Sequence, residues 1–176
     1  HTLSIVTSAR LETTTEDVLS TRGNIHGEVA GRHWMQLIPA AGLSWRMSPM
    51  LSVKANAART FRAPDFDELY LDIVGMRGNA NLNPERATNL DLGLSLNTTD
   101  ERFDAEVVGF YNDIDEMIHF VATTAYLFQA QNRGHGTAYG LESSVHWQAL
   151  PRLVLDGGYT WTESSLDALG ETIPGQ

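Results

Sequence analysis

The chain has no cysteine, so it holds neither a disulfide framework nor a thiolate metal site. It has no run of about 18 apolar residues, which excludes a membrane-spanning helix. Positive charge is scarce: 12 Lys and Arg against 22 Asp and Glu leave a formal net charge of −10. A binder of phosphate backbones needs clustered basic side chains, so nucleic acid is not an expected partner. There is no Ser-His-Asp order and no nucleophile elbow, so neither an enzyme nor a cofactor is expected. The chain opens on His1 without Met or an apolar export segment, which suggests an internal piece of a longer chain.

What the chain does have is a rhythm of alternating segments. In the sharpest, Tyr139, Leu141, Ser143, Val145, Trp147 and Ala149 alternate with Gly140, Glu142, Ser144, His146 and Gln148. A strand has a side-chain period of two, so one face here is mostly apolar and the other polar. Seven such strands can be read: 3–11, 36–46, 51–59, 88–97, 102 to about 114 or 121, about 126–149, and 152–163. The fourth is the plainest, with Leu90, Leu92, Leu94 and Leu96 set against Asn89, Asp91, Gly93 and Ser95.

The connections alternate in length. Short turns are expected at Met47 to Met50, Thr98 to Glu101 and Leu150-Pro151. Long loops are expected over 12–35, 60–87 and the stretch around 113–128. Soluble domains rarely carry several loops of that length, whereas outer-membrane barrels pair short periplasmic turns with long external loops. On that reading, odd-numbered strands run outward. Aromatics then fall where membrane girdles belong: Trp45 and Trp147 at the periplasmic ends, and Tyr111, Tyr139, Tyr159 and Trp161 near the outer ends. Tyr139 and Trp147 lie roughly 26 Å apart along a strand, which after a tilt of about 45° is somewhat less than the ~25 Å apolar band.

The expected fold is therefore all-β, an antiparallel up-and-down transmembrane barrel segment. Alternation alone does not separate it from a soluble β-sandwich, whose apolar face points inward. Seven strands would leave an open apolar edge, since bacterial single-chain barrels close with an even number. The chain is thus expected to be a section of a larger wall.

Two linked stretches carry a resemblance. Ala58 to Tyr70 reads ARTFRAPDFDELY, and Gly78 to Asn89 reads GNANLNPERATN. They resemble the "S-x-R-A-P-x-x-x-E-L-Y" and "G-N-P-x-L-x-P-E-x-S-x-x-x-E" stretches of TonB-dependent outer-membrane receptors, with Ala87 where the family often has Ser. Gly109 to Ile118 is similar to the family's "F-Y-N-x-I-x-x-L-I", and Tyr139-Gly140-Leu141-Glu142 to its "x-x-G-x-E" strand start. The order agrees over residues 1–176, which resemble the later-middle part of a barrel of about 22 strands. The resemblance implies one partial barrel domain over 1–176, without the family's plug domain or terminal strands. It also implies the bacterial outer membrane as location, and TonB-driven uptake of a scarce ligand such as a ferric siderophore or cobalamin. The partners implied are outer-membrane lipid, a small-molecule or metal-chelate ligand, and the TonB complex, whose contact segment is not expected in this chain. A passive pore and a soluble binding module are the alternative functions.

The motif residues Arg62, Ala63, Pro64, Glu68, Leu69, Tyr70, Gly78, Asn79, Leu82, Pro84 and Glu85 are read mainly as fold-setting. Pro64 is expected at the first position of a short helical turn, with Asp65, Asp67 and Glu68 near its N-terminus. Asn83 before Pro84 and Glu85 suggests a second capped turn. For ligand contact the candidates are Trp34, Arg62, Phe66, Tyr70 and Arg77. Arginine suits an anionic chelate, and aromatics stack on catechol or corrin rings. Asp113, Asp115 and Glu116 could form a calcium loop, but they lack EF-hand spacing and read as a solvated hairpin. His26 and His33, and the scattered His119, His135 and His146, have no recognised metal spacing, so no metal site is expected. Arg133-Gly134-His135-Gly136 precedes a strand and is no phosphate loop, and Asn97-Thr98-Thr99 reads as a turn.

Overall fold

The computed structural model describes residues 2–16, 32–168 and 171–174. Its elements are β1 (Thr2–Glu16), β2 (Arg32–Arg46), β3 (Leu51–Arg62), α1 (Phe66–Tyr70), β4 (Asp72–Ile73), β5 (Met76–Arg77), β6 (Glu85–Asn97), β7 (Phe103–Thr124), β8 (Leu127–Leu150), β9 (Leu153–Ala168) and β10 (Glu171–Pro174). The seven long strands are the seven read from the alternation. They pair antiparallel in chain order, β1-β2-β3-β6-β7-β8-β9, with β10 beyond β9, and the sheet is not closed.

The register determines the two faces. Leu3 pairs with Trp45, Trp45 with Val53, Val53 with Leu94, Leu94 with Val107 and Val107 with Ser143. Odd residues of six long strands therefore share one face with the even residues of β6. That face stays open: Leu90 is 43% exposed, Leu94 48%, Val145 40% and Trp161 42%. No second sheet seals it among the described residues, so the apolar side chains do not converge into an enclosed core. Aromatics border it at both ends. Trp45 pairs with Leu3, and Trp147 with Phe103; at the other end Tyr111 pairs with Tyr139, whose ring meets Trp161 edge-on at 5.9 Å.

The opposite face is polar and internally bonded. Ser95 Oγ donates to Glu106 at 2.8 Å, Lys54 Nζ lies 4.0 Å from the same carboxylate, and His146 Nδ1 sits 2.6 Å from Asp156. These groups border a cavity of about 690 Å³. Gly140 lies on this face between Phe110 and β9. A Cβ there would strike the Trp161 carbonyl and come 2.8 Å from the Phe110 ring. Gly140→Leu should therefore break the β7–β8–β9 packing and cost about 2 kcal/mol or more, seen as a lowered unfolding midpoint of the full-length protein.

Several expectations need correction. The stretch around 113–128 is not a long loop. β7 and β8 run on as strands of 22 and 24 residues, joined by a turn at Ala125 and Tyr126. At about 3.3 Å per residue they reach roughly 70 to 80 Å, far beyond the membrane band. Their alternation is masked there by a bulge, with register shifts after Ile114 and Met117 and Glu116 at φ 60°. Such a bulge inserts a residue and re-aims those that follow. The 12–35 stretch is strand at both flanks; residues 17–31, including His26, lie outside the described residues. Pro64 is not the first helical residue. It precedes the cap, Asp65, and its ring is buried. Asn83 opens no capped turn: its N–H donates to Asn132 Oδ1 at 2.8 Å and the chain enters β6 directly. The turn falls earlier, where Asn79 Oδ1 accepts from the Asn81 N–H at 2.9 Å.

Candidate functional site

Beyond the outer aromatic row, the segment between β3 and β6 folds into a compact unit held by one arginine. Arg62 ends β3 opposite Glu85, the first residue of β6. Its guanidinium donates to Glu85 through Nε at 2.9 Å and Nη2 at 2.7 Å, and to Glu68 of α1 through Nη1 and Nη2, both at 3.1 Å. Asp65 Oδ2 lies 3.3 Å away. Glu68 also accepts the Asp65 N–H at 2.7 Å, holding the first turn of α1. Glu85 accepts the Ile118 N–H at 2.8 Å, which ties the unit to β7 just past its bulge. Paired, charge-assisted bonds of this kind fix geometry as well as charge.

Behind this latch lies the main buried cluster: Trp34, Leu69, Leu82, Ile118 and Ala130, with Ala63, Tyr70 and Phe120 against it. Leu82 is 1% exposed. Gly78 lets the chain pass under α1, since a Cβ there would lie 2.6–2.8 Å from the Leu69 and Tyr70 backbone. Its N–H donates to the Leu71 carbonyl at 2.6 Å, and that of Asn79 to the Glu68 carbonyl at 2.8 Å. Asn132 of β8 clamps the far side, donating to the carbonyls of Asn83 and Glu116, each at 2.8 Å. The short β4–β5 hairpin turns at Gly75, φ +85°, and adds to β8 in parallel at Phe128 and Gln129.

The five ligand-contact candidates separate by place. Trp34 sits in the core with the Arg32 guanidinium 5.8 Å from its ring centroid, and Arg62 is the latch. Tyr70 packs against the core and tilts on Phe66 at 5.2 Å; Phe66 is exposed. Arg77 is exposed beside Asp72 at 3.7 Å. The structure adds Val74 and Tyr126, both strongly exposed at the tip next to Phe128. Sequence reasoning placed Tyr126 at a strand start. The available signal was an aromatic directly after the small and polar Thr123-Thr124-Ala125.

The acidic cluster is also rearranged. Asp113 and Asp115 are joined by His135, not by Glu116: His135 Nε2 is 3.3 Å from Asp113 and Nδ1 2.8 Å from Asp115. The three could hold a metal ion by donor type. Sequence spacing hid the grouping because His135 comes from the neighbouring strand.

Glu85 lies outside the membrane band, and its carboxyl is held below the ordinary 4.5, chiefly by the Arg62 hydrogen bonds and also by the Ile118 N–H, against the opposing effect of burial. Arg62 is correspondingly raised by Glu85 and then Glu68. A carboxyl depressed in the folded state stabilises it fully above its unfolded value, and the contribution is lost as pH falls through the depressed value. Protection of the Ile118 amide, measured against its intrinsic exchange rate at each pH, should therefore fall as the medium is acidified below the usual carboxylate range. In Glu85→Gln it should be low already at neutral pH and lose that acid step. An unchanged profile in the variant would remove Glu85 as the pH-dependent clasp.

An unsealed apolar face between two aromatic rows, a polar bonded face behind it, and strands rising beyond to carry a folded loop define the wall of an outer-membrane β-barrel. The chain belongs to the TonB dependent receptor-like β-barrel family, whose model matches residues 1–176. It is 28% identical over 138 residues to the "iron-regulated outer membrane virulence protein" of Vibrio cholerae, covering 68% of this chain and 21% of that protein. It is 35% identical over 75 residues to "vitamin B12 transporter BtuB" of Photobacterium profundum, covering 43% and 12%. Among solved structures it is similar to the "FrpB iron transporter" of Neisseria meningitidis, with TM-score 0.71, 17% identity, and coverage of 93% of this chain and 24% of that one. The chain thus spans under a quarter of the length of these relatives. Its place is the bacterial outer membrane, in a family of receptors and transporters, not of enzymes.

Proposed function

We propose that this chain is part of a receptor that takes up a scarce ligand across the outer membrane with energy from the TonB complex. The ligand class is a ferric siderophore or a cobalamin-like chelate. The observation that carries this reading is the family match along the whole chain, joined to a folded loop held by Arg62 beyond the outer aromatic row. A ligand-gathering surface needs exposed groups on a rigid base. Phe66 and Arg77 supply such groups, with Tyr70 beside them, while Trp34 and Arg62 hold the base. An anionic chelate suits Arg77 and a flat ring suits Phe66. A strain lacking the full-length gene should lose growth on one iron or vitamin source, and the full-length gene should restore it only when TonB is present. Restoration without TonB would overturn the reading in favour of a passive pore.

A further inference from the structure

The bulge in β7 assembles a group of side chains that the uptake reading does not use. Between the pairs Ile114–Gly136 and Met117–Gly134, β7 sets two residues, Asp115 and Glu116, against the single His135 of β8. A bulge of this kind re-aims the residues beside it. Here it leaves His135 between two carboxylates, with Nδ1 2.8 Å from Asp115 and Nε2 3.3 Å from Asp113. Asp113, His135 and Asp167 are odd residues of β7, β8 and β9, so they share the face that points away from the lumen. Asp167 is the Cα partner of His135, which sets their Cβ atoms about 5 Å apart. Both are exposed to the medium.

The donors and acceptors at the imidazole do not balance. A neutral ring carries one N–H and one lone pair. The shorter contact takes the N–H, so Nδ1 donates to Asp115. Nε2 then aims its lone pair at a carboxylate oxygen 3.3 Å away. Two acceptors facing each other call for a cation between them. The spacing suits one: donor atoms about 2.0–2.1 Å from a tetrahedral zinc ion lie about 3.3 Å from each other. Asp115 meanwhile occupies the place that a carboxylate takes behind a metal-binding histidine, on the nitrogen that does not touch the metal. Arg86 of β6 stands opposite Asp115 and offsets one of the three aspartates, which leaves the group anionic. Calcium and magnesium favour oxygen ligands throughout. An imidazole among carboxylates suits zinc and its transition-metal neighbours instead.

We propose that these residues form a resident site for a divalent transition metal, with His135 Nε2, Asp113 and Asp167 as ligands and Asp115 as the positioning residue on Nδ1. The ion ties β7, β8 and β9 together at the bulge, and it is not cargo, because the site faces away from the lumen. The test strips full-length protein in non-ionic detergent with a chelator and titrates it with zinc chloride against a chromophoric zinc indicator. The wild type should bind one zinc ion more per chain than His135→Gln, and Asp113→Asn should lose the same equivalent. Asp115→Asn should keep the stoichiometry but bind roughly 10–100-fold more weakly. His146→Gln, whose imidazole meets Asp156 on the lumen face, should match the wild type in both respects. Zinc should raise the unfolding temperature of the wild type and leave that of His135→Gln unchanged. Equal zinc stoichiometry in the wild type, His135→Gln and Asp113→Asn would overturn the site. Displacement of the zinc by excess calcium would overturn the metal class, and complete loss of binding in Asp115→Asn would overturn its positioning role.

Discussion

Leu94→Arg should destabilise the full-length protein in lipid vesicles by about 2–4 kcal/mol, while Glu142→Arg should change stability by no more than about 0.5 kcal/mol. Leu94 pairs with Val53 and Val107 on the apolar face, on the outward side of Leu96. A guanidinium there meets hydrocarbon with no polar partner within reach. Glu142 pairs with Val108 on the opposite face, where water screens a new charge. Guanidinium titration of both variants decides which face touches acyl chains, and equal costs would reverse the assignment.

Leu82→Ala should loosen the loop between β3 and β6 by about 3 kcal/mol. Leu82 is almost wholly buried in the cluster formed with Trp34, Leu69, Ile118 and Ala130. Removing its side chain leaves a cavity that the surrounding strands cannot close, because Asn132 and the Arg62–Glu85 pair hold the walls apart. The loss is local. Amide exchange over 63–84 and protease cutting near Val74 should rise, while the sheet between the aromatic rows keeps its protection. Uniform loss of protection along the chain would mean that the loop core supports the whole sheet.

The strands between the aromatic rows were legible residue by residue. Their alternation is broken at only a few positions, such as Val6, Ile38 and Phe110, and Leu90 to Leu96 would place every side chain on the wrong face after a slip of one residue. Beyond the outer row the alternation fails. Around Glu116 an inserted residue resets the period, so Ile118 enters a core that the pattern could not reveal. The family motifs marked the loop as structural, but their local chemistry misled. Pro64 read as a helix start and Asn83 as a cap, whereas distant partners decide both positions: Pro64 is buried under the loop and Asn83 is claimed by Asn132.

The sequence by itself determined the seven long strands, the short turns, the apolar and polar faces and the family, because each rests on local periodicity or on contiguous motifs. Tertiary structure alone decided the latch between Arg62, Glu68 and Glu85 and the grouping of His135 with Asp113 and Asp115. Those arrangements depend on register between strands far apart in the chain, and register is set by the sum of cross-strand pairing and by one bulge, neither of which any single segment encodes.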